Sequence, residues 1–182
     1  MEVEAKYSIP DEGTFQRLLE EEALFGFDLG DPLVSELHDL YLDTADRAIL
    51  RQGYALRIRR QDDHYLATIK GLGEATVGIH RREEQEITLP APLPPRNWPA
   101  GAARDRALRL CNARPLPTLF AIEQVRYSRL VSLAGRVVAE MALDRVRVRL
   151  EDGVADAYLE LEVELRPTGR LEDLTRLNTG LH

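Results

Sequence analysis

The 182-residue sequence predicts an α+β protein, with about eight β-strands in an antiparallel sheet and a few short helices beside it. Three observations carry this. Most segments alternate apolar and polar residues with period two, the spacing of a strand with two unlike faces. Tight-turn sequences fall between consecutive segments, which implies hairpins. Helical spacing is confined to three short stretches.

The strand segments are "EVEAKYSI" (2–9), "VSELHDLYLDT" (34–44), "YALRIRRQ" (54–61), "HYLATIKG" (64–71), "GIHRREEQEITL" (78–89), "FAIEQVRYSRLVSL" (120–133), "RVVAEMALDRVRVRL" (136–150) and "DAYLELEVELR" (156–166). "QDDH" and "LAG" read as tight hairpin connections, and "EDG" before Val154 supplies the Asp-Gly that tolerates positive φ. The first helix is expected over 10–25, started by Pro10 and Asp11, with Phe15, Leu18, Leu19 and Leu24 as a core stripe. "TADRAILRQG" gives a brief turn closed by Gly53, and "GAARDRALRLCNAR" a helix whose apolar side holds Ala103, Leu108 and Cys111. The proline-rich stretch "LPAPLPPRNWPAG" is expected to be an extended connector between two halves of the sheet.

Length and the lack of a long polar spacer point to a single domain over 1–182. No apolar run approaches the roughly 18 residues of a membrane span, and no signal-like prefix stands at the start, so the expectation is a cytoplasmic protein with no membrane partner. The net charge of −7 argues against DNA or other nucleic acid as a non-specific partner, because such binding needs an excess of Lys and Arg. Cys111 is the single cysteine, which excludes an internal disulfide and a cysteine zinc site. The sequence is silent on oligomeric state.

The strands share an unusual parity. Glu2, Glu4 and Lys6 fall on one face of the first strand, opposite Val3, Ala5 and Tyr7. Arg57 and Arg59 oppose Tyr54, Leu56 and Ile58, while Lys70 and Thr68 oppose Tyr65, Ala67 and Ile69. Arg82, Glu84 and Glu86 line one side of their segment, and Glu160, Glu162 and Glu164 oppose Leu159, Leu161, Val163 and Leu165. The apolar faces suit packing under helices, so the charged faces look either to bulk water or into a barrel. The two cases differ in composition. A solvated face mixes its polar residues, whereas here some strands carry mainly bases (Arg57, Arg59, Lys70, with Arg126) and others mainly acids (Glu2, Glu4, Glu160, Glu162, Glu164). Segregated acid and base in one cavity suit a metal–polyphosphate complex: Arg and Lys contact phosphate oxygens, and carboxylates hold a hard cation such as Mg²⁺ or Mn²⁺.

The ordered pieces E-x-E-x-K (Glu2, Glu4, Lys6), "LYLDT" with Tyr41 and Asp43, "ALRIRR", "ATIKG", R-x-E-x-E (Arg82, Glu84, Glu86), "ALDRV" with Asp144 and "LELEVEL" resemble the CYTH superfamily, the triphosphate tunnel metalloenzymes. The likeness runs from Met1 to about Arg166. It implies an eight-stranded antiparallel β-barrel, the triphosphate tunnel, and divalent-metal-dependent hydrolysis or cyclisation of a small-molecule triphosphate. By this resemblance Lys6, Arg57, Arg59, Lys70, Arg82 and Arg126 bind phosphate, and Glu2, Glu4, Glu160, Glu162 and Asp144 hold Mg²⁺ or Mn²⁺. Lys6, Lys70, Glu84 and Glu86 form the catalytic set, the two glutamates holding the attacking water or a second metal. The first expectation is a triphosphatase acting on inorganic tripolyphosphate or a small organic triphosphate; the alternatives are an adenylyl cyclase and a non-catalytic polyphosphate or nucleotide binder.

Two features depart from the family pattern. Gln124 stands where a Lys often precedes the Arg of the sixth strand, which removes one expected phosphate contact. The sequence stops at "EDLTRLNTGLH", where relatives continue through a helix to a Ser-Lys segment; the expectation is either a C-terminally trimmed domain, followed in a longer chain by a helical CHAD domain as in many bacterial members, or a tunnel that closes differently. Asp43 suits a helix cap as well as a catalytic role, and Tyr41 and Tyr54 are candidate platforms for an organic group.

Overall fold

Period-two alternation builds most of the molecule. The computed structural model describes residues 2–61, 63–73, 75–76 and 79–181, with 2, 61, 75–76 and 79–82 described by their backbone alone. Among the described residues twelve strands join in one antiparallel sheet: β1 (Glu2–Ile9), β2 (Ala23–Leu24), β3 (Phe27–Leu29), β4 (Leu33–Leu42), β5 (Tyr54–Gln61), β6 (His64–Gly71), β7 (Ala75–Thr76), β8 (Ile79–Arg82), β9 (Glu84–Leu89), β10 (Thr118–Leu133), β11 (Arg136–Leu150) and β12 (Gly153–Leu165). The main path runs β8, β1, β12, β11, β10, β4, β5, β6, β9.

Its two ends belong to one stretch of chain. Only Glu83 separates β8 from β9, so the run 79–89 pairs with β1 through its first part and with β6 through its second. Counted as one strand, it completes a ring of eight and rolls the sheet into a tunnel. The segment expected as a continuous strand over 78–89 is thus broken at Glu83, whose side chain turns outward to Arg106 (2.8 Å) while its carbonyl accepts from the Gly71 amide (2.9 Å). The β10–β11 hairpin turns through Ala134 and Gly135, both at positive φ (50° and 77°), as its two-residue connection requires.

The apolar faces point away from the bore, as the inverted parity implies, and helices cover them. Ala5, Met141, Leu143, Leu161 and Val163 pack with Phe15 of α1 (Glu12–Glu20) and with Leu174 and Leu177 of α4 (Leu171–Leu181). On the other side Leu56, Ile58, Ala67 and Ile69 pack with Ile49 of α2 (Ala48–Arg51) and with Ala103, Ala107 and Leu110 of α3 (Ala102–Cys111). Trp98 from the proline-rich connector closes this second cluster and donates its indole N–H to the Leu93 carbonyl (2.7 Å). The connector is therefore core as well as linker, and it folds into a short 3₁₀ turn at Pro95–Asn97.

One further local expectation is corrected. The first helix stops at Glu20, not Phe25, because Phe25 and Gly26 adopt positive φ (54° and 81°) and turn a small β2–β3 hairpin. Buried Arg129 donates to the Leu19 carbonyl (2.9 Å) at the end of α1 and so satisfies a carbonyl the helix leaves open. Helix α4, near the end of the sequence, docks on β1 and β12; Gly180 lies so close to the Phe25 ring that an added Cβ would sit 2.5 Å from it. No helix among the described residues is long and apolar enough to cross a membrane.

Asp43 is a cap. Buried beside β4, it accepts from the amides of Thr44 (2.7 Å), Ile49 (2.9 Å) and Leu50 (3.0 Å), and so fixes the start of α2. Asp43→Ala strands three amide donors, two of them buried, and is expected to lower unfolding free energy by about 1–3 kcal/mol in urea titrations, with the β-sheet circular dichroism of the folded state retained.

Candidate active site

Each strand of the ring sends alternate side chains inward, and these enclose a cavity of about 390 Å³. Glu4 and Lys6 enter from β1, Glu160, Glu162 and Glu164 from β12, Arg126 and Gln124 from β10, Arg57 and Arg59 from β5, Lys70 from β6, and Glu84 and Glu86 from β9. Asp144 of β11 is 0% exposed and stands in the wall beside them, its carboxylate held by Arg126. The side chains of Glu2 and Arg82 lie outside the described residues, although their backbones pair with each other. Gln124 sits in the cavity wall, so a neutral amide fills the position where the family resemblance leads one to expect Lys.

Strand order sets acid against base. β5 and β6 stand four places round the ring from β12 and β11, so Arg57, Arg59 and Lys70 look across the bore at Glu160, Glu162 and Asp144. Carboxylate oxygens of Asp144, Glu160 and Glu162 lie within 4.8 Å of one another. Two cations hold this trio together. Lys6 pairs with Glu160 (3.0 Å) and Glu162, while Arg126 forks onto Asp144 through Nε (2.9 Å) and Nη2 (2.6 Å) and also meets Glu162.

The basic wall has its own scaffold, which the motif reading missed. Asp39 of β4, 2% exposed, accepts from Arg59 Nε and Nη2 (both 2.7 Å) and lies 3.7 Å from Arg57 Nη1. Arg57 donates to Thr68 Oγ1 (3.3 Å), which in turn donates to Glu86 (3.0 Å). A signal was available: Asp39 shares strand parity with Tyr41, which the "LYLDT" motif singles out. Tyr54 is corrected. It lies on the outer face, where its hydroxyl meets Arg106 (2.6 Å), whereas Tyr41 and Tyr158 line the cavity.

At one mouth the lining changes character. Following each strand in the same direction, Glu160 gives way to Tyr158, Asp144 to Val146, Gln124 to Ile122, Asp39 to Tyr41, Arg57 to Ala55 and Lys70 to Leu72. The charged belt thus has an uncharged collar on six strands.

Burial acts against the charges of Glu162 and Lys6, and their neighbours decide the outcome. Desolvation pushes Glu162 up, but Lys6, Arg126 and, across the bore, Lys70 outweigh it and hold the carboxyl at about 2. Burial likewise opposes the Lys6 ammonium, yet Glu162 and Glu160 raise its pKa above the ordinary value. Because the folded pKa of Glu162 lies below its ordinary 4.5, its charge stabilises the fold above about pH 4.5, and that contribution is lost as pH falls toward 2. The stability gap between wild type and Glu162→Gln in denaturant titrations is therefore expected to be full at neutral pH, to shrink below pH 4.5 and to close near pH 2.

Known proteins share this fold. A CYTH domain model matches residues 1–179. The inorganic triphosphatase of Haemophilus influenzae is 28% identical over 144 residues, which make up 76% of this chain; the chain spans 38% of that protein's length. Among solved structures, a Hippeastrum protein assigned as an adenylyl cyclase, with a dominant triphosphatase activity, aligns over 100% of this chain and 86% of its own at 20% identity and TM-score 0.67. A Bacillus halodurans protein assigned as an adenylate cyclase aligns over 100% of this chain and 87% of its own at 21% identity and TM-score 0.64. These structures share the fold, and the family model covers nearly every residue of the tunnel: the chain belongs to the CYTH family.

Proposed function

We propose that the protein hydrolyses a phosphoanhydride bond of a small triphosphate inside the tunnel, with Mg²⁺ or Mn²⁺ as cofactor. The observation that carries this reading is the facing of a basic wall (Arg57, Arg59, Lys70) and an acidic trio (Asp144, Glu160, Glu162) across one cavity. Among the described residues the cavity and its wall hold eight carboxylates (Glu4, Asp39, Glu84, Glu86, Asp144, Glu160, Glu162, Glu164) against five cations (Lys6, Arg57, Arg59, Lys70, Arg126). That excess of negative charge repels a bare polyanion and suits a divalent cation, and hard oxygen donors within 4.8 Å fit the coordination of Mg²⁺ or Mn²⁺. Glu4, Glu160, Glu162 and Asp144, with Glu2, would hold the metal, which when bound draws electron density from phosphate oxygens and offsets the charge of the triphosphate.

The chain's own groups then do three things. Arg57, Arg59 and Arg126, with Arg82, fix the non-bridging oxygens and spread the charge that develops on them. Lys6 and Lys70 stand ready to neutralise the leaving phosphate. Glu84 and Glu86 orient the attacking water and accept its proton; Glu86 binds Thr68 through Oε1, which leaves Oε2 for the water.

The uncharged collar favours an organic triphosphate over bare tripolyphosphate as the second partner of the same chemistry. Tyr158 is 38% exposed at the mouth, and Tyr41, stacked on Phe120 at 4.8 Å, backs the collar from the opposite side. A flat organic group fits such a rim while its phosphates reach the belt.

The purified protein incubated with tripolyphosphate, ATP or thiamine triphosphate, each with Mg²⁺, Mn²⁺ or chelator, is expected to release phosphate only with metal. Glu4→Ala should reduce that release by at least about a hundredfold; full activity in this variant, or cyclic AMP as the product from ATP, would overturn the assignment. Tyr158→Ala is expected to lower kcat/KM for the organic substrates by about tenfold, the scale of one stacking contact, and to leave tripolyphosphate turnover unchanged.

A further inference from the structure

The geometry points to Asp39 as the positioning residue of the basic wall, a buried carboxylate that aims the Arg59 and Arg57 guanidinium groups at the substrate without touching it. This rests on the phosphate-binding role proposed above for the two arginines.

Four observations support it. Asp39 is nearly inaccessible, so a ligand in the cavity meets the arginines before it meets the carboxylate. Its fork engages Nε and Nη2 of Arg59, both at 2.7 Å, and Arg59 Nη1 carries no hydrogen bond to any described residue. Two of the five N–H groups are thereby engaged, and the other three, two of them on Nη1, are left in a fixed plane. The same Oδ2 lies 3.7 Å from Arg57 Nη1, while Arg57 Nε is buried with no hydrogen-bond partner among the described residues. Finally, Asp39 and Arg59 are direct cross-strand partners on β4 and β5, as Arg126 and Asp144 are on β10 and β11, and both forks use Nε and Nη2. The tunnel repeats one device on two walls.

Held this way, each arginine loses its side-chain freedom on folding rather than on binding. A free arginine of the same charge would still attract phosphate but would have to be ordered by it.

The test turns on sign. Asp39→Asn removes a negative charge from a cavity that takes a polyanion, so electrostatics alone predicts tighter binding, whereas a positioning role predicts weaker binding. The probe is a non-hydrolysable imido analogue of tripolyphosphate with Mg²⁺, followed by calorimetry. The dissociation constant is expected to rise about tenfold to a hundredfold in Asp39→Asn, and most of this effect should vanish in the Arg59→Ala background. Arg59→Lys keeps the charge, loses the fork and leaves Asp39 in place; it should weaken binding by a similar factor even if the Asp39 variant folds poorly. Binding in Asp39→Asn as tight as wild type or tighter, an undiminished effect in the Arg59→Ala background, or wild-type affinity in Arg59→Lys would each overturn the inference while leaving the triphosphatase reading intact. A wild-type protein that does not bind the analogue at all would overturn both.

Discussion

Charge enclosed in a barrel has to be matched by charge across it, and most of this molecule follows from that constraint. An isolated carboxylate or ammonium in such a place would neutralise or draw the wall open. Lys6 is held between Glu160 and Glu162, Arg126 between Asp144 and Glu162, and Arg59 on Asp39. Each pair joins residues from different strands, so the ion pairs also specify register. Slipping β12 by one residue against β1 would turn Glu160 and Glu162 outward into the apolar layer under α1 and α4. Polar enclosure of this kind is a weak source of stability and a strict source of uniqueness. The stability comes from the two apolar layers outside the sheet, which explains why the helices sit there.

The inverted parity made the inside of the tunnel legible before any coordinates. Alternation assigns Glu4, Lys6, Arg57, Arg59, Lys70, Glu84, Glu86, Glu160 and Glu162 to one side of their strands, and all of them line the cavity. Strand bounds follow closely wherever a tight turn marks them, as at 61–64 and 133–136, whereas the last strand, expected from Asp156, already starts at Gly153. Less legible were features decided by tertiary packing. Ala23 and Leu24 continue a helical stripe, yet Phe25 and Gly26 turn them into a hairpin strand beside α4. The tail holds a helical spacing in Leu174, Leu177 and Leu181, too short to be persuasive without the sheet face it covers.

Which inward residues meet is a different kind of information. Nothing in "VSELHDLYL" indicates that Asp39 will lie opposite Arg59, because that pairing depends on the β4–β5 register and on the twist that rolls the sheet. The same limit applies to the collar. Tyr158, Val146, Ile122, Tyr41, Ala55 and Leu72 come from six segments, and only the ring order brings them to one mouth. Tyr54 shows the converse, since its parity already assigned it to the apolar face.

The broken strand at Glu83 makes the wall uneven. β10 and β11 are laddered from Ala121–Arg149 to Leu133–Arg136, and β12 continues that slab, whereas β8 meets β1 only from Glu2–Arg82 to Ala5–Ile79. The tunnel wall therefore joins one long, continuous slab to a short-laddered seam. The trio Asp144, Glu160 and Glu162 rides on the slab and Glu4 on β1 beside the seam; a small cation would demand ligand geometry within tenths of an ångström there. Arg57, Arg59 and Lys70 ride on β5 and β6 across the bore, and their long arms can adjust to a ligand without movement of the strands. Carboxylates on a continuous slab facing long basic arms would let a single sheet meet ions of very different size.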